Sequence, residues 1–269
     1  MPASLRAERT RSNVTRQRVE PDWKESASRI SPWCNSIAKR LCDLLGAGLL
    51  LAIFALPMLL LAMAVKMTSR GPIIFRQGRR GKNGREFYIF KFRTMIVSDN
   101  AGPALTRAQD PRVTWFGRRM RRWKLDELPQ LFNVVRGEMS FVGPRPHVSR
   151  LWNDPSLGEK AYLVLSVRPG ITSEATVMFR HEERVLAALT SDEVETVYLR
   201  ALMPLKLDME MQYLKSATLI SDLKIMLRTV GKIFDHRAKK DEMLNKQLLV
   251  INKARRNVEQ VWSSPEGSA

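Results

Sequence analysis

Asp126 and Glu127 stand side by side in Leu125-Asp126-Glu127-Leu128-Pro129-Gln130, one leucine before a proline. Like charges on adjacent carboxylates repel, and a hard cation such as Mg2+ relieves that repulsion. The plainer use of two acids at a helix start is capping and pairing with the helix dipole. Cations crowd both flanks: Arg118-Arg119-Met120-Arg121-Arg122-Trp123-Lys124 lies upstream and Ser140-Phe141-Val142-Gly143-Pro144-Arg145-Pro146 downstream. The prolines around Arg145 stiffen its loop, which suits bidentate recognition of phosphate; a structural turn with a solvated Arg145 is the alternative. Acids able to hold a metal and guanidiniums able to hold phosphate thus share one short segment.

The elements that must position these groups follow from local pattern. Pro129 fits the first turn of a helix running on through Leu131 to Val135, because the donors there are free. Asp126 and Glu127 would then lie near that helix's positive end, which favours their ionised form. Pro111 to Lys124 predicts an amphipathic helix, with Met120 and Trp123 recurring at helical spacing among arginines. It suits either the headgroup layer of a membrane or ordinary packing on a core.

Pro72 to Phe75 and Glu86 to Arg93 predict two strands around the Gly-rich basic turn Gly78 to Gly84. Lys91 and Arg93 alternate with Phe90 and Phe92, so they share one face, either on phosphate or in solvent. The turn is not a Walker loop, because Gly-x4-Gly-Lys-Ser/Thr is absent. Val167 to Thr172 is a further turn, carrying Arg168. Glu182 to Tyr198 and Lys206 to Ile233 predict helices. The fold class is therefore α+β and predominantly helical, with one short hairpin.

Leu41 to Val65 is apolar except for Asp43. About 25 residues is enough to cross a bilayer with some tilt. Asp43 lies one helical turn from Lys39 and Arg40 and can pair with either, or simply sit at the interface. Pro57 removes one backbone donor and predicts a kink or break. A straight span puts one strongly basic flank outside, against the positive-inside tendency. A re-entrant helix-break-helix with Pro57 as its corner returns both flanks to one side. On residues alone the two topologies stand open, with a buried helix of a soluble protein as the third reading.

Lys and Arg number 45 against 27 Asp and Glu in 269 residues, a formal net charge of +18. Such charge suits anionic lipid, nucleic acid or a phosphorylated substrate. No helix-turn-helix, finger or RNA-binding signature is present, so no nucleic-acid partner is expected. Two cysteines, Cys34 and Cys42, and three scattered histidines predict neither a disulfide framework nor a zinc site. Residues 1–35 read as a disordered basic arm and 236–269 as a charged extension.

The ordered set of motifs resembles a known family. Lys39-Arg40-Leu41-Cys42-Asp43 precedes the apolar run; Ser69 to Phe75, Phe90-Lys91-Phe92-Arg93-Thr94-Met95 and Asp110-Pro111-Arg112-Val113-Thr114 follow. Then come Leu125 to Val134, Gly137 to Pro146 and Arg168-Pro169-Gly170-Ile171-Thr172. This looks like the bacterial sugar transferases, the monotopic polyprenyl-phosphate phosphoglycosyl transferases, over roughly residues 36 to 235. The resemblance implies transfer of a phospho-sugar from a UDP-sugar to undecaprenyl phosphate with release of UMP, the first membrane-committed step of a surface glycan or exopolysaccharide. It implies Asp126 as nucleophile, through an aspartyl phospho-sugar intermediate, and Glu127 beside it holding Mg2+ or orienting the lipid phosphate. Arg121 and Arg145 would bind phosphate, with Lys91, Arg93 and Arg168 as further candidates.

The family also implies a re-entrant membrane helix over 36–70 and a catalytic domain over 71–235, facing the cytoplasm at the inner membrane; a homodimer is left open. The chain reads as the minimal form, without the additional N-terminal membrane helices of larger members. It departs from the family pattern at Leu56, where serine usually precedes the proline, at Glu138, often Asp, and at Thr172-Ser173-Glu174-Ala175, which lacks a common glycine. A membrane-anchored scaffold and a basic nucleic-acid binder are the rival readings.

Overall fold

The structure, a computed structural model, describes residues 25, 28–96, 110–154, 157–180, 182, 186, 189 and 191–234. Most of the expected arm and all of the C-terminal extension lie outside the described residues. The last residues of the arm, however, are built into the fold. Ile30 and Cys34 are buried, Ser31 caps a short 3₁₀ turn, Pro32–Asn35, and its backbone N–H and hydroxyl bond the Leu214 and Ala217 carbonyls.

Helix α1, Ile37–Thr68, starts where the Ser36 hydroxyl accepts the Lys39 N–H. Among the described residues it is the one helix long and apolar enough to cross a membrane. Leu45, Leu49, Ile53, Leu56, Leu60 and Met63 are exposed along it, a run of apolar surface of the kind that marks a membrane or protein contact. The expected break at Pro57 is not seen as a break, because the helical backbone continues through it. A proline inside a helix removes one bond and favours a kink, which a helix can take without ending.

Both ends of α1 are fastened to the same domain. At its start, the Lys39 ammonium pairs with Asp222, and the Arg40 guanidinium donates to the Val134 and Val135 carbonyls. Asp43 accepts from the Ser140 hydroxyl and the Phe141 N–H, both at 3.1 Å, rather than serving as a partner for Lys39 or Arg40. At its far end, Val65 packs with Phe92 and Met120, and Ser69 accepts from Arg93.

Strands β1, Ile74–Arg80, and β2, Glu86–Phe92, form the expected antiparallel hairpin, with Arg79 opposite Phe87 and Phe75 opposite Lys91. β1 runs further than expected, to Arg80, because the turn needs only Gly81 to Arg85, with Asn83 and Gly84 at positive φ. The apolar face also differs from expectation. Phe87, Ile89 and Phe90 are all buried, since α1 and the following helices cover the side that carries Phe87 and Ile89.

Helix α2, Trp115–Arg122, is shorter than the expected 111–124, because Thr114 caps its first turn. Helix α3 is Gln130–Val135. Strands β3, Ser140–Val142, and β4, Gly170–Thr172, form a short parallel pair that the sequence reading missed. Between them lies α4, Gly158–Leu165.

The rest is helical: α5, Glu174–Met178; α6, Ser191–Val197; a π-helical turn, Tyr198–Leu202; α7, Met203–Ser216; and α8, Leu219–Phe234. The single helix expected over Lys206 to Ile233 is two. Thr218 and Ser221 exchange side-chain and backbone bonds that end one helix and start the next. Leu202, Met203, Leu207 and Leu214 form the middle of the main core with Val142, Leu151 and Leu165. Helix α8 buries Asp222 and Ile225 and exposes Ile220, Leu223, Leu227, Val230 and Phe234 on one stripe.

Candidate active site

Asp126 and Glu127 lie in a 3₁₀ turn, Leu125–Glu127, that leads into α3. The turn is aimed by Lys124, a non-glycine residue in the left-handed region with φ 58°. Such a conformation costs about 1 kcal/mol or more and is found where the surroundings enforce it. Asn133, fully buried, locks α3 to the hairpin. Its Oδ1 accepts the Phe90 N–H at 3.1 Å, and its Nδ2 donates to the Tyr88 carbonyl at 2.8 Å and to Glu138 at 2.7 Å. This brings Lys91 of β2 against the acidic turn, where its ammonium donates to Glu127 Oε1 at 2.9 Å. Lys124 Nζ lies 3.8 Å from the same oxygen.

Arg145 arrives from the β3–β4 pair. The Gly143 N–H bonds the Thr172 carbonyl at 3.1 Å and the Gly170 N–H bonds the Pro144 carbonyl at 2.9 Å. A Cβ at Gly170 would stand 2.2 Å from the Gly143 nitrogen, so only glycine lets the two backbones meet and place the Pro144-Arg145-Pro146 loop. Arg79 of β1 donates to the Pro146 carbonyl at 3.1 Å. Arg79, Lys91, Glu127, Gln130 and Arg145 line one small cavity.

Electrostatics separates the two acids. Asp126 is 4 % exposed and its Oδ1 has no hydrogen-bond partner. Burial pushes its carboxyl up, Lys91 pulls it down, and the neighbouring Glu127 charge pushes it up again. For Glu127, burial also acts upward, but Lys91, Lys124 and Arg145 outweigh it and hold the group far below the usual carboxylate range. Burial lowers Arg79 to about 10, helped by the nearby charge of Arg145. The result is a permanently charged acid wrapped in cations, beside a desolvated acid that retains a free oxygen.

The expected residues divide. Lys91, Glu127 and Arg145 line one cavity; Asp126, next to Glu127, is not among its lining residues but feels the charge of Lys91, and the charge of Arg121 reaches Asp126 and Asp110. Arg93 does not join them as expected. It donates to Ser69 and to the Pro72 carbonyl, fastening the end of α1 to the hairpin. Arg168 also lies elsewhere, donating to the Gly137 carbonyl and lining a second cleft. Pro57 stands exposed in α1, remote from this chemistry in the chain. Sequence reading missed Arg79 and Gln130; once β1 is extended to Arg80, the hairpin register supplies the signal for Arg79.

A hard divalent cation fits this donor set. Asp126 Oδ1 is a buried oxygen without a partner, and Mg2+ is commonly held by one or two carboxylates completed by substrate phosphates. Among the described residues no group of three or more His, Cys, Asp or Glu forms a closed metal cage.

An apolar helix of membrane length fixed at both ends to a small domain, with paired acids facing lysine and arginine, defines a membrane-associated protein with a site suited to phosphate chemistry. The chain belongs to the bacterial sugar transferase family, which it matches over residues 34–236. It is 43% identical over 200 residues to the UDP-glucose:undecaprenyl-phosphate glucose-1-phosphate transferase of Caulobacter vibrioides, covering 73% of this chain and 70% of that protein. It is 38% identical over 216 residues to the undecaprenyl-phosphate glucose phosphotransferase of Komagataeibacter xylinus, covering 78% of this chain and 38% of that protein. To the Escherichia coli K12 protein bearing the same name as the Caulobacter one it is 37% identical over 206 residues, 76% of this chain and 42% of that protein. The chain thus spans about four-tenths of the length of the last two relatives.

Proposed function

We propose that this chain transfers a phospho-sugar from a UDP-sugar to undecaprenyl phosphate, releasing UMP, through a covalent intermediate on Asp126. The observation that carries the reading is the buried, unpartnered Oδ1 of Asp126 beside a cluster of cations. A desolvated carboxylate is a better nucleophile than a hydrated one. Asp126 attacks the phosphorus that bears the sugar; the bond to the UMP oxygen breaks and UMP leaves with the electron pair. An oxygen of the lipid phosphate then attacks the same phosphorus, the bond to Asp126 breaks, and a lipid diphosphate sugar results. Lys91, Arg79 and Arg145 neutralise phosphoryl charge in both steps. Glu127, fixed by Lys91, keeps that lysine aimed at the reacting phosphate. Mg2+ held by Asp126, Glu127 and phosphate oxygens would supply further charge neutralisation when bound.

The membrane helix enters and leaves on the cytoplasmic face in this reading, with Pro57 at the bend. The support is that both ends of α1 dock on one domain. A straight span would separate those ends by the bilayer, about 30 Å of hydrocarbon. The exposed stripe of α8 and the exposed Trp115 with Arg119 stacked on it, 4.6 Å from the ring centre, suit the headgroup layer.

The test is UMP release by detergent-purified protein given undecaprenyl phosphate, Mg2+ and UDP-glucose, then other UDP-sugars. Release by the wild type, an Asp126 adduct in its mass spectrum, and loss of both in Asp126→Asn are expected. UMP release persisting in Asp126→Asn would remove Asp126 from the nucleophile role.

A further inference from the structure

A second cleft, of about 450 Å³, opens beside the hairpin turn and is lined by Lys82, Arg85, Arg136 and Arg168, with Phe87 and Gly137. It is separate from the carboxylate site. Phe87 and Lys91 point to the same side of β2, four residues apart, so the two sites are roughly 13 Å from each other.

Among the described residues these four cations are little compensated: the charge of Asp43 reaches Arg168. Among the described residues none of them forms an ion pair. Lys82 donates to the Asn35 side chain, Arg168 to the Gly137 carbonyl, and Arg136 lies over the Phe90 ring. Glu138, on the cleft wall, is already bonded to Asn133, and Glu86 is exposed. Part-burial and the charge of Arg168 lower Lys82, and part-burial and the charge of Arg40 lower Arg168, so an anion entering the cleft would relieve both.

The cleft also sits at the start of the membrane helix. Asn35, which holds Lys82, immediately precedes the Ser36 cap of α1. The Arg40 guanidinium, on the first turn of α1, comes within 3.4 Å of where a Gly137 Cβ would stand. Ile37, beside them, is exposed. The cleft therefore lies at the end of the domain where α1 begins, the end the proposed membrane placement puts nearest the lipid.

We propose that the cleft binds the phosphate of an anionic membrane-lipid headgroup, separately from the phosphates that react at Asp126. The four cations outnumber Glu86 and Glu138 on the cleft wall and leave a positive cavity with donors for phosphodiester oxygens, and lipid held there would fix the depth of the hairpin at the bilayer. The inference rests on the membrane placement proposed above and not on the transfer reaction.

The experiment is native mass spectrometry of the full chain in detergent, without donor or acceptor. Phosphatidylglycerol, phosphatidylcholine and inorganic phosphate are added separately and in competition. The wild type is expected to retain phosphatidylglycerol in preference to phosphatidylcholine. Lys82→Gln/Arg85→Gln is expected to hold it roughly tenfold more weakly, and Arg85→Lys to hold it normally. Arg85 is exposed, so Arg85→Gln alone serves where the double variant fails to fold, with a smaller loss expected. Equal retention by the wild type and the glutamine variants, or no preference for phosphatidylglycerol over phosphatidylcholine, would overturn the proposal. Displacement of the lipid by millimolar inorganic phosphate would assign the cleft to a soluble phosphate instead. Because no turnover is read, a failed transferase assay leaves this result intact.

Discussion

Lys91 donates to Glu127 Oε1 at 2.9 Å, while on the preceding residue Asp126 Oδ1 is buried without a partner. One lysine thus serves both acids differently. It satisfies Glu127 directly, and it acts on Asp126 through space as the strongest opposing influence to burial.

This arrangement predicts which acid limits activity at low pH. Glu127 stays ionised far below neutrality, whereas the Asp126 carboxyl is raised. A nucleophilic carboxylate must be ionised, so the rate falls as pH drops through the raised value of Asp126. Lys91→Gln removes the cation that most lowers that value. The acid limb of kcat/KM should move to higher pH, and the rate at its plateau should fall about 10²- to 10³-fold. A variant with a reduced rate and an unmoved acid limb would show that Lys91 acts on substrate phosphate alone.

Asn133 predicts a stability effect that reaches the site. Asn133→Ala strands the Phe90 N–H and the Tyr88 carbonyl, both inside the packed junction of α3 and β2. The expected loss is about 2–4 kcal/mol. Thermal unfolding in detergent should fall by roughly 5–15 °C. The weakened junction also loosens Lys91 relative to Glu127, so the surviving folded fraction should turn over more slowly than wild type at the same temperature.

Legibility followed the range of the interactions. The acid pair, the stiff Arg145 loop and the hairpin were readable, because local residue types and period-two alternation set them. Arg93 was misplaced because alternation assigns a face without saying what covers it. Its partners, Ser69 and the Pro72 carbonyl, lie more than 20 positions away. The β3–β4 pair escaped because three residues per strand carry no period, and its cause is a close contact of Gly143 with Gly170. The joint at Thr218 escaped because apolar spacing continues across it while the hydrogen-bond caps do not.

Asp222 joins the start of the membrane helix to the domain. It pairs with the buried Lys39 ammonium, accepts from the buried Tyr213 hydroxyl at 2.7 Å and accepts from the half-buried Trp33 Nε1 at 2.9 Å. Asp222→Ala leaves Lys39 charged and uncompensated, a loss of about 3–5 kcal/mol. The variant should release its N-terminal segment first, seen as accelerated proteolysis near residues 28–36. Unchanged cleavage there would place the anchorage of α1 on Arg40 and Asp43 instead.

Glu210 gives the stability of the fold a pH dependence. Both its oxygens are buried without a hydrogen bond of normal geometry, and burial pushes its carboxyl up to about 7. The folded state therefore binds this proton more tightly than the unfolded chain, whose glutamate titrates near 4.3. Stability falls as pH rises between those values, by an amount on the order of 3 kcal/mol. His147 works in the other direction. Burial and the charges of Lys206, Arg145 and Arg79 hold it well below its ordinary value, so stability rises with pH up to about 6.5, where the unfolded imidazole loses its proton. The two slopes oppose each other in the wild type. In Glu210→Gln the falling contribution of Glu210 is gone, so thermal unfolding midpoints measured from pH 5 to 8 should climb more, or fall less, than those of the wild type. The variant should gain most over wild type at pH 8, where Glu210 would otherwise be a buried anion. A constant difference between variant and wild type across that range would mean that Glu210 does not titrate there.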